Sequence, residues 1–247
     1  MDLGVFDQVP NLSELILDEN QLTNAGIAPG VLSRLPLSRL AISKNKFTEF
    51  PAELPESLTH LDLSSNQISF VSHISMKNLK NLEILSLDQN KISDASFEVG
   101  ALANLKELLE FKIGYNFLTA VPHGISENLK SLKLAGNQIV YLRAAHLETF
   151  TDLKSIDLGL NQLKSVEKRA LEFLASADSV DLTGNNWSCD CYLQPLKTFL
   201  GETKKNFQVS NSLYYIIFNS HTVVMALKRL LGFEIDFVRH PISGSAA

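Results

Sequence analysis

Few residues of this chain combine the type and the spacing that catalysis requires. The six histidines are scattered along the sequence, and only His60 has a carboxylate close by in a strand-like pattern, at Asp62. A positioned histidine can act as a general base, but a lone acidic neighbour on a strand is common in non-catalytic proteins. The chain also lacks G-x-S-x-G, H-E-x-x-H, P-loop and dinucleotide-binding sequences. We therefore predict a protein without enzymatic activity, bound cofactor or metal.

The two cysteines, Cys189 and Cys191, could form disulfides or bind a metal. Because a single residue separates them, a strain-free bond between the two is unfavourable. Two close thiols without a second pair of ligands are also a poor zinc site. We keep them as disulfide candidates, with free thiols and a bond to another chain as open alternatives.

Two N-x-S sequences could accept N-linked glycans if the protein is secreted. They begin at Asn11 and Asn186. Asn186 is the stronger candidate because it comes directly after the last repeat described below, whereas Asn11 lies where a return segment meets a strand.

These residues are positioned by eight copies of the pattern L-x-x-L-x-L-x-x-N. The copies align on Asn20, Asn45, Asn66, Asn90, Asn116, Asn137, Asn161 and Asn185, at steps of 25, 21, 24, 26, 21, 24 and 24 residues. That spacing is typical of leucine-rich repeats, in which each turn supplies one strand and one return segment. We predict an α/β, right-handed, horseshoe-shaped solenoid with a parallel β-sheet on its concave side and irregular convex returns. The asparagines should satisfy backbone groups where the chain leaves each strand.

The residues between the leucines of L-x-L should face solvent, because side chains alternate along a strand. They form three columns, of which the third consists mostly of small residues. Along the second column, lysines in the middle give way to aspartates towards the C-terminal end, an arrangement that would orient a charged partner. The residues predicted to bind a protein partner on this concave face are Arg39, His60, Asp62, Ile84, Asp88, Glu110, Lys112, Tyr115, Lys133, Asp157 and Asp181.

The repeats alternate in length, with short proline-containing returns after Asn45 and Asn116. Together with the sequence from Phe47 to Leu58, this order resembles the small leucine-rich repeat proteoglycans of the extracellular matrix, over roughly residues 12–185. The resemblance implies a secreted binding protein whose inner strand surface or edge contacts collagen, growth factors or receptors. The longer returns should contain single helical turns, near Ser75–Leu79 and Ala144–Phe150.

The stretch from Asn185 to Leu193 resembles the cysteine-flanked C-terminal cap of secreted and cell-surface repeat proteins. In such a cap, the paired cysteines would bond to two more cysteines downstream, and this chain has none after Cys191. Loss of those partners is therefore a third alternative for Cys189 and Cys191. Trp187 and the segment after it should cover the open end of the leucine core.

We predict three regions: the solenoid over 1–185, the cap over 186–203, and a divergent β/α capping extension with a mobile tail over 204–247. The extension should contain strands at 212–218 and 233–237 and a helix between Ser220 and Gly232. Residues 3–12 correspond to the return half of a repeat without its strand. We expect either a fragment that lacks its first repeats or a non-standard N-terminal cap.

The composition of the chain disfavours some classes of partner. A net charge of −5 disfavours nucleic acid, and no apolar run is long enough for a membrane span. We predict a non-catalytic, extracellular or cell-surface protein-binding module whose partner is a matrix protein, a growth factor or a receptor. Two alternatives stay open: a cytoplasmic scaffold that regulates an enzyme, which unpaired cysteines would suit, and a self-associating subunit that forms a homodimer.

Overall fold

The computed structural model of the protein describes residues 1–187, 195–196 and 198–199, and the backbone of 206–208. All of them belong to one compact unit, residues 1–210. The two cysteines, most of the predicted cap, and the helix and strands predicted after residue 211 lie outside the described residues.

A nine-stranded parallel sheet organises the described part of this unit, and its strands follow one another in chain order. Two further strands, Tyr141–Leu142 and Ser165–Val166, pair with each other outside this sheet. Eight of the nine strands come from the eight predicted repeats, and the ninth, Asn206–Gln208, was not predicted. The strands are β1 (Glu14–Ile16), β2 (Arg39–Ala41), β3 (His60–Asp62), β4 (Ile84–Ser86), β5 (Glu110–Lys112), β6 (Ser131–Lys133), β7 (Tyr141–Leu142), β8 (Ser155–Asp157), β9 (Ser165–Val166), β10 (Ser179–Asp181) and β11 (Asn206–Gln208).

Each repeat strand has three residues, and the central side chain of each is buried in the core. The residues on either side of that side chain point away from the core, which is the alternation expected of a strand. Successive repeats pair in direct register, so the central residues form one continuous apolar stack. The central residues are Leu15, Leu40, Leu61, Leu85, Phe111, Leu132, Ile156 and Val180, and all of them are buried. The predicted parallel repeat solenoid is confirmed.

The asparagine of each repeat joins its own turn to the preceding repeat. Asn116 is typical: its Oδ1 accepts the backbone N–H of Ile92 at 3.0 Å, and its Nδ2 donates to the carbonyl of Leu87 at 2.9 Å. The equivalent link from one repeat to the previous one recurs at every asparagine from Asn45 to Asn185. The predicted structural role of these asparagines is therefore confirmed.

The return segments are irregular, as predicted. Within residues 1–187 the returns contain two α-helices, α1 (His73–Met76) and α2 (Lys168–Ser176), together with 3₁₀ turns at Asn24–Gly26, Asp94–Ser96 and Ala144–His146. The helical turn predicted at Ser75–Leu79 begins two residues earlier, because Ser72 accepts the N–H of Ser75 and caps α1 there. The two short proline-containing returns contain neither a helix nor a 3₁₀ turn.

Candidate functional site

The side of the sheet that faces away from the core, here called the strand face, carries three rows of side chains. The first row is Glu14, Arg39, His60, Ile84, Glu110, Ser131, Ser155 and Ser179. The second row is Ile16, Ala41, Asp62, Ser86, Lys112, Lys133, Asp157 and Asp181. The third row, two residues after each strand, is Asp18, Ser43, Ser64, Asp88, Gly114, Ala135, Gly159 and Thr183. These rows contain every predicted partner-binding residue except Tyr115, which directly follows the third row.

The direct register places like charges side by side in the second row. Lys112 pairs with Lys133 across β5 and β6, and Asp157 pairs with Asp181 across β8 and β10. Neighbouring parallel strands are about 4.8 Å apart, and like charges opposite each other on a sheet are destabilising. These two pairs therefore do not assist folding.

The lysines have weak partners within the chain. Lys112 Nζ lies 3.5 Å from Glu110 Oε1, and Lys133 Nζ donates to Ser155 Oγ at 3.2 Å. The Lys112 and Glu110 side chains are about one third exposed (37% and 29%), so water screens their attraction. Both ammonium groups can therefore exchange these contacts for a better one.

The aspartates, by contrast, also hold the backbone. Asp62, Asp157 and Asp181 each accept the N–H of the residue two positions further on, at 2.8–3.0 Å. Asp88 instead accepts the N–H of Gly114 in the next repeat, at 2.6 Å. The sequence did not predict this second role, which means that only substitutions that keep an acceptor oxygen can test the charges.

Burial raises the pKa of the Asp88 carboxyl above its ordinary value of 3.8. The Gly114 N–H and the Lys112 ammonium oppose this shift, whereas Asp62 and Asp157 add to it. A carboxyl whose pKa is raised by folding favours the folded state while it is protonated. That contribution is complete below the ordinary pKa and is lost as the pH rises through the folded-state pKa.

We expect Asp88→Asn to stabilise the protein at pH 7, because the amide keeps an acceptor for Gly114 without burying a charge. The gain should disappear below pH 3.8, where the wild-type carboxyl is itself protonated. Thermal unfolding followed by circular dichroism across this pH range measures both effects. Asp152→Asn is the control of opposite sign, because the Lys154 hydrogen bond lowers the pKa of the exposed Asp152. A lower melting temperature for Asp88→Asn at pH 7 would contradict the expectation.

In the part of the chain that the structure describes, His60 and Asp62 are not hydrogen-bonded to each other. Its Nδ1 lies 2.8 Å from Thr59 Oγ1, while Asp62 Oδ1 accepts the N–H of Ser64. Both side chains line a shallow depression of about 330 Å³ on the strand face, with Arg39, Ile84 and Lys112.

An apolar border follows the third row. Tyr115 and Leu160 adopt left-handed backbone conformations (φ 53° and 52°), and their side chains lie over Gly136 and Gly184 of the next repeat. A Cβ at Gly136 would come within 2.5 Å of the Tyr115 ring, so glycine is needed there. Tyr115 is 52% exposed and Leu160 is 54% exposed. Phe117, two residues after Tyr115, is 50% exposed. Tyr115 was predicted, whereas Leu160 was missed, although the sequence shows a large apolar residue alternating with glycine before the last four of the eight asparagines.

The remaining predicted sites are partly described. Asn11 and Asn186 are both exposed, and their glycosylation stays a prediction. Trp187 is buried, with 7% of its surface exposed, and its role in covering the open end of the core stays a prediction. Within the part of the chain that the structure describes, no cluster of His, Cys, Asp and Glu is placed to hold a metal ion. The same residues contain no helix that is long and apolar enough to cross a membrane.

Sequence models of known families match two parts of the chain. A leucine-rich repeat model covers residues 127–186, and a two-copy leucine-rich repeat model covers residues 56–98. With the stacked strands and the asparagine links, these matches define the class: the chain is a leucine-rich repeat protein.

Among such proteins, it resembles the small leucine-rich repeat proteoglycans. It is 35% identical to lumican of Gallus gallus over 148 residues, which are 60% of this chain and 43% of lumican. It is 34% identical to keratocan of Mus musculus over 135 residues, 54% of this chain and 38% of keratocan. Asporin of Bos taurus is 36% identical over 141 residues, 57% of this chain and 36% of asporin. The chain spans less than half the length of these relatives.

Solved structures agree on the fold. A chain from an octameric complex of latrophilin 3, Unc5D and the leucine-rich repeat part of FLRT2 superimposes with a TM-score of 0.80. The match is 27% identical and covers 85% of this chain and 65% of that one. A leucine-rich repeat protein of Leptospira interrogans gives a TM-score of 0.67 at 27% identity, over 81% of this chain and 50% of that one.

Proposed function

We propose that this chain is a protein-binding module of an extracellular or cell-surface protein and that its partner docks on the strand face. The observation that carries the proposal is the pair of like-charged neighbours in the second row, Lys112 beside Lys133 and Asp157 beside Asp181. Such pairs oppose folding, and an oppositely charged partner turns each of them into a favourable contact.

The resemblance to lumican, keratocan and asporin supports an extracellular setting. The likeness to a chain from a complex of several proteins supports a role in protein association. The partner belongs to the matrix-protein, growth-factor or receptor class. The strand face is favoured as the docking surface because its three rows project side chains that the apolar core does not use.

The test is surface plasmon resonance of the purified chain against immobilised fibrillar collagen and a panel of growth factors and receptor ectodomains. For a partner that binds the wild type, Lys112→Gln/Lys133→Gln should weaken binding by about tenfold or more, a loss of about 1.4 kcal/mol. The matched control is Lys46→Gln/Lys91→Gln. Those two lysines lie outside the three rows, and each donates to a glutamine of the preceding repeat.

Two results would count against the strand face. One is equal loss in the control pair, which would show a general effect of net charge. The other is unchanged affinity of the Lys112→Gln/Lys133→Gln protein for a partner that binds the wild type. Circular dichroism spectra and melting temperatures of all variants verify that the comparison is between folded proteins.

A further inference from the structure

The second row carries a charge sequence that restricts what can bind. Across β5, β6, β8 and β10 it runs Lys112, Lys133, Asp157, Asp181, on four strands that are consecutive in the sheet. Two cations are thus followed by two anions along a line that crosses the strands. A partner that matches both halves must place an anionic and a cationic group along the same line.

The strand spacing sets the distance between those two groups. An anion shared by the lysines lies midway between β5 and β6, and a cation shared by the aspartates lies midway between β8 and β10. These midpoints are two strand spacings apart, about 10 Å at about 4.8 Å per spacing. A segment in the extended polyproline II conformation rises about 3.1 Å per residue and has three residues per turn. Two of its residues about three positions apart therefore lie on the same side and about 9 Å from each other, which matches the two midpoints.

The neighbouring third row makes room for the backbone of such a segment. Gly114, Ala135, Gly159 and Thr183 form a low floor beside the four charged residues. At Gly114 a Cβ would come within 2.9 Å of the Ala135 carbonyl oxygen, and at Gly159 it would crowd Asp157 Oδ1 at 3.2 Å. Larger residues would therefore both strain the repeat and raise the floor.

Tyr115 and Leu160 border this floor on the side away from the charged row. Each is about half exposed, and each is held in place over a glycine of the next repeat. Rigid apolar groups next to a charged row are suited to the uncharged side chains that lie between the two charges of the partner.

We propose that the surface formed by Lys112, Lys133, Asp157, Asp181 and the Tyr115–Leu160 border binds an extended protein segment with an acidic and a basic residue about three positions apart. The acidic residue lies between the two lysines, and the basic residue lies between the two aspartates. Each aspartate uses one oxygen for a backbone N–H, and a carboxylate has acceptor sites on both oxygens. This inference rests on the proposed function, because it names the chemistry of the partner that the strand face takes.

The probe is a short synthetic peptide with one Glu and one Arg three positions apart in a background of Pro, Ser and Ala, which keeps it extended. A second peptide of the same composition has Glu and Arg adjacent. Fluorescence anisotropy at low salt should show tighter binding of the spaced peptide, by about tenfold. Its affinity should fall as the salt concentration increases from about 0.1 M to about 1 M.

Matched variants locate the site. Lys112→Gln/Lys133→Gln and Asp157→Asn/Asp181→Asn should each abolish the preference for the spaced peptide. The asparagines keep the acceptor oxygens that hold the backbone, so the fold should survive, and the melting temperature confirms this. Lys46→Gln/Lys91→Gln should leave the preference unchanged.

The outcomes separate the two proposals. If both peptides bind equally, or neither binds, while a protein partner still requires Lys112 and Lys133, the spacing rule is overturned and the proposed function stands. If a protein partner binds without these lysines, the strand-face function itself fails. If light scattering shows a dimer that the same variants dissociate, a second copy of the chain occupies this surface, and the peptide proposal is overturned.

Discussion

Replacing Asn116 by alanine should destabilise the protein by about 3 kcal/mol. The asparagine is 4% exposed, and its Oδ1 is the acceptor for the buried N–H of Ile92 in the preceding repeat. An unsatisfied buried donor costs about 1–3 kcal/mol. The Nδ2 hydrogen bonds to three carbonyls are lost as well, but the Leu87 carbonyl keeps Asn90 as a donor. We therefore expect the total loss of stability to exceed the cost of one unsatisfied hydrogen bond but to stay below the cost of four.

Asn20→Ala is the matched control for Asn116→Ala. Asn20 occupies the same place in the first repeat, but it is exposed and bonds only to the carbonyls of Leu17 and Asp18 in its own turn. Its replacement should cost less than about 1 kcal/mol. Urea unfolding of the two variants and the wild type gives both differences. Equal destabilisation would contradict the view that the link to the preceding repeat, rather than the local turn, is what makes the asparagine important.

The comparison of Asn116 with Asn20 also shows why the solenoid was predictable from the sequence. Each repeat has the same spacing of leucines and asparagine, so eight weak local signals add to one strong signal. Strand positions follow from the alternation of leucine with other residues, and the register follows from the constant distance between leucine and asparagine. The ninth strand, Asn206–Gln208, has no such pattern and could not be found in this way.

Backbone conformation was less predictable. The residue before the asparagine is left-handed in all eight repeats, although only Gly136 and Gly184 are glycines there. Residues that carry a Cβ rarely adopt this backbone conformation, which costs them about 1–2 kcal/mol. The asparagine offsets the cost by donating to the carbonyls of the two residues before the left-handed one, as Asn116 does to Ile113 and Gly114. The left-handed conformation therefore cannot be predicted from the residue type at this position, which varies among the repeats.

The candidate site was predicted as a set of positions but not as a set of roles. Alternation placed Lys112 and Asp157 on the strand face correctly. Their environments differ for reasons that depend on three-dimensional contacts. Asp157, in the second row, accepts the Gly159 N–H within its own repeat. Asp88, in the third row, accepts the N–H of Gly114 in the next repeat, as Asp18 of the same row does from Ser43. Which charges are available to a partner is therefore a property of the folded chain.

Phe111→Ala should have the largest effect of any single substitution in the central repeats, a loss of about 3–5 kcal/mol. Phe111 is the largest of the central strand residues and is fully buried, with 0% exposure. Its removal leaves a cavity between β4 and β6, whose central residues, Leu85 and Leu132, are held by the sheet register and cannot collapse inwards. Urea unfolding measures the loss.

Phe117→Ala controls for the chemical change itself. Phe117 belongs to the same repeat, six residues further along the chain, but half of its surface is exposed. Because its backbone N–H still bonds to the Ile92 carbonyl in the variant, only surface contacts are lost, and we expect a cost below about 1 kcal/mol. If the two variants lost similar stability, the central stack would not be the main support of the solenoid. A large difference would show instead that the buried Phe111 supports the fold and that the half-exposed Phe117 is not needed for folding.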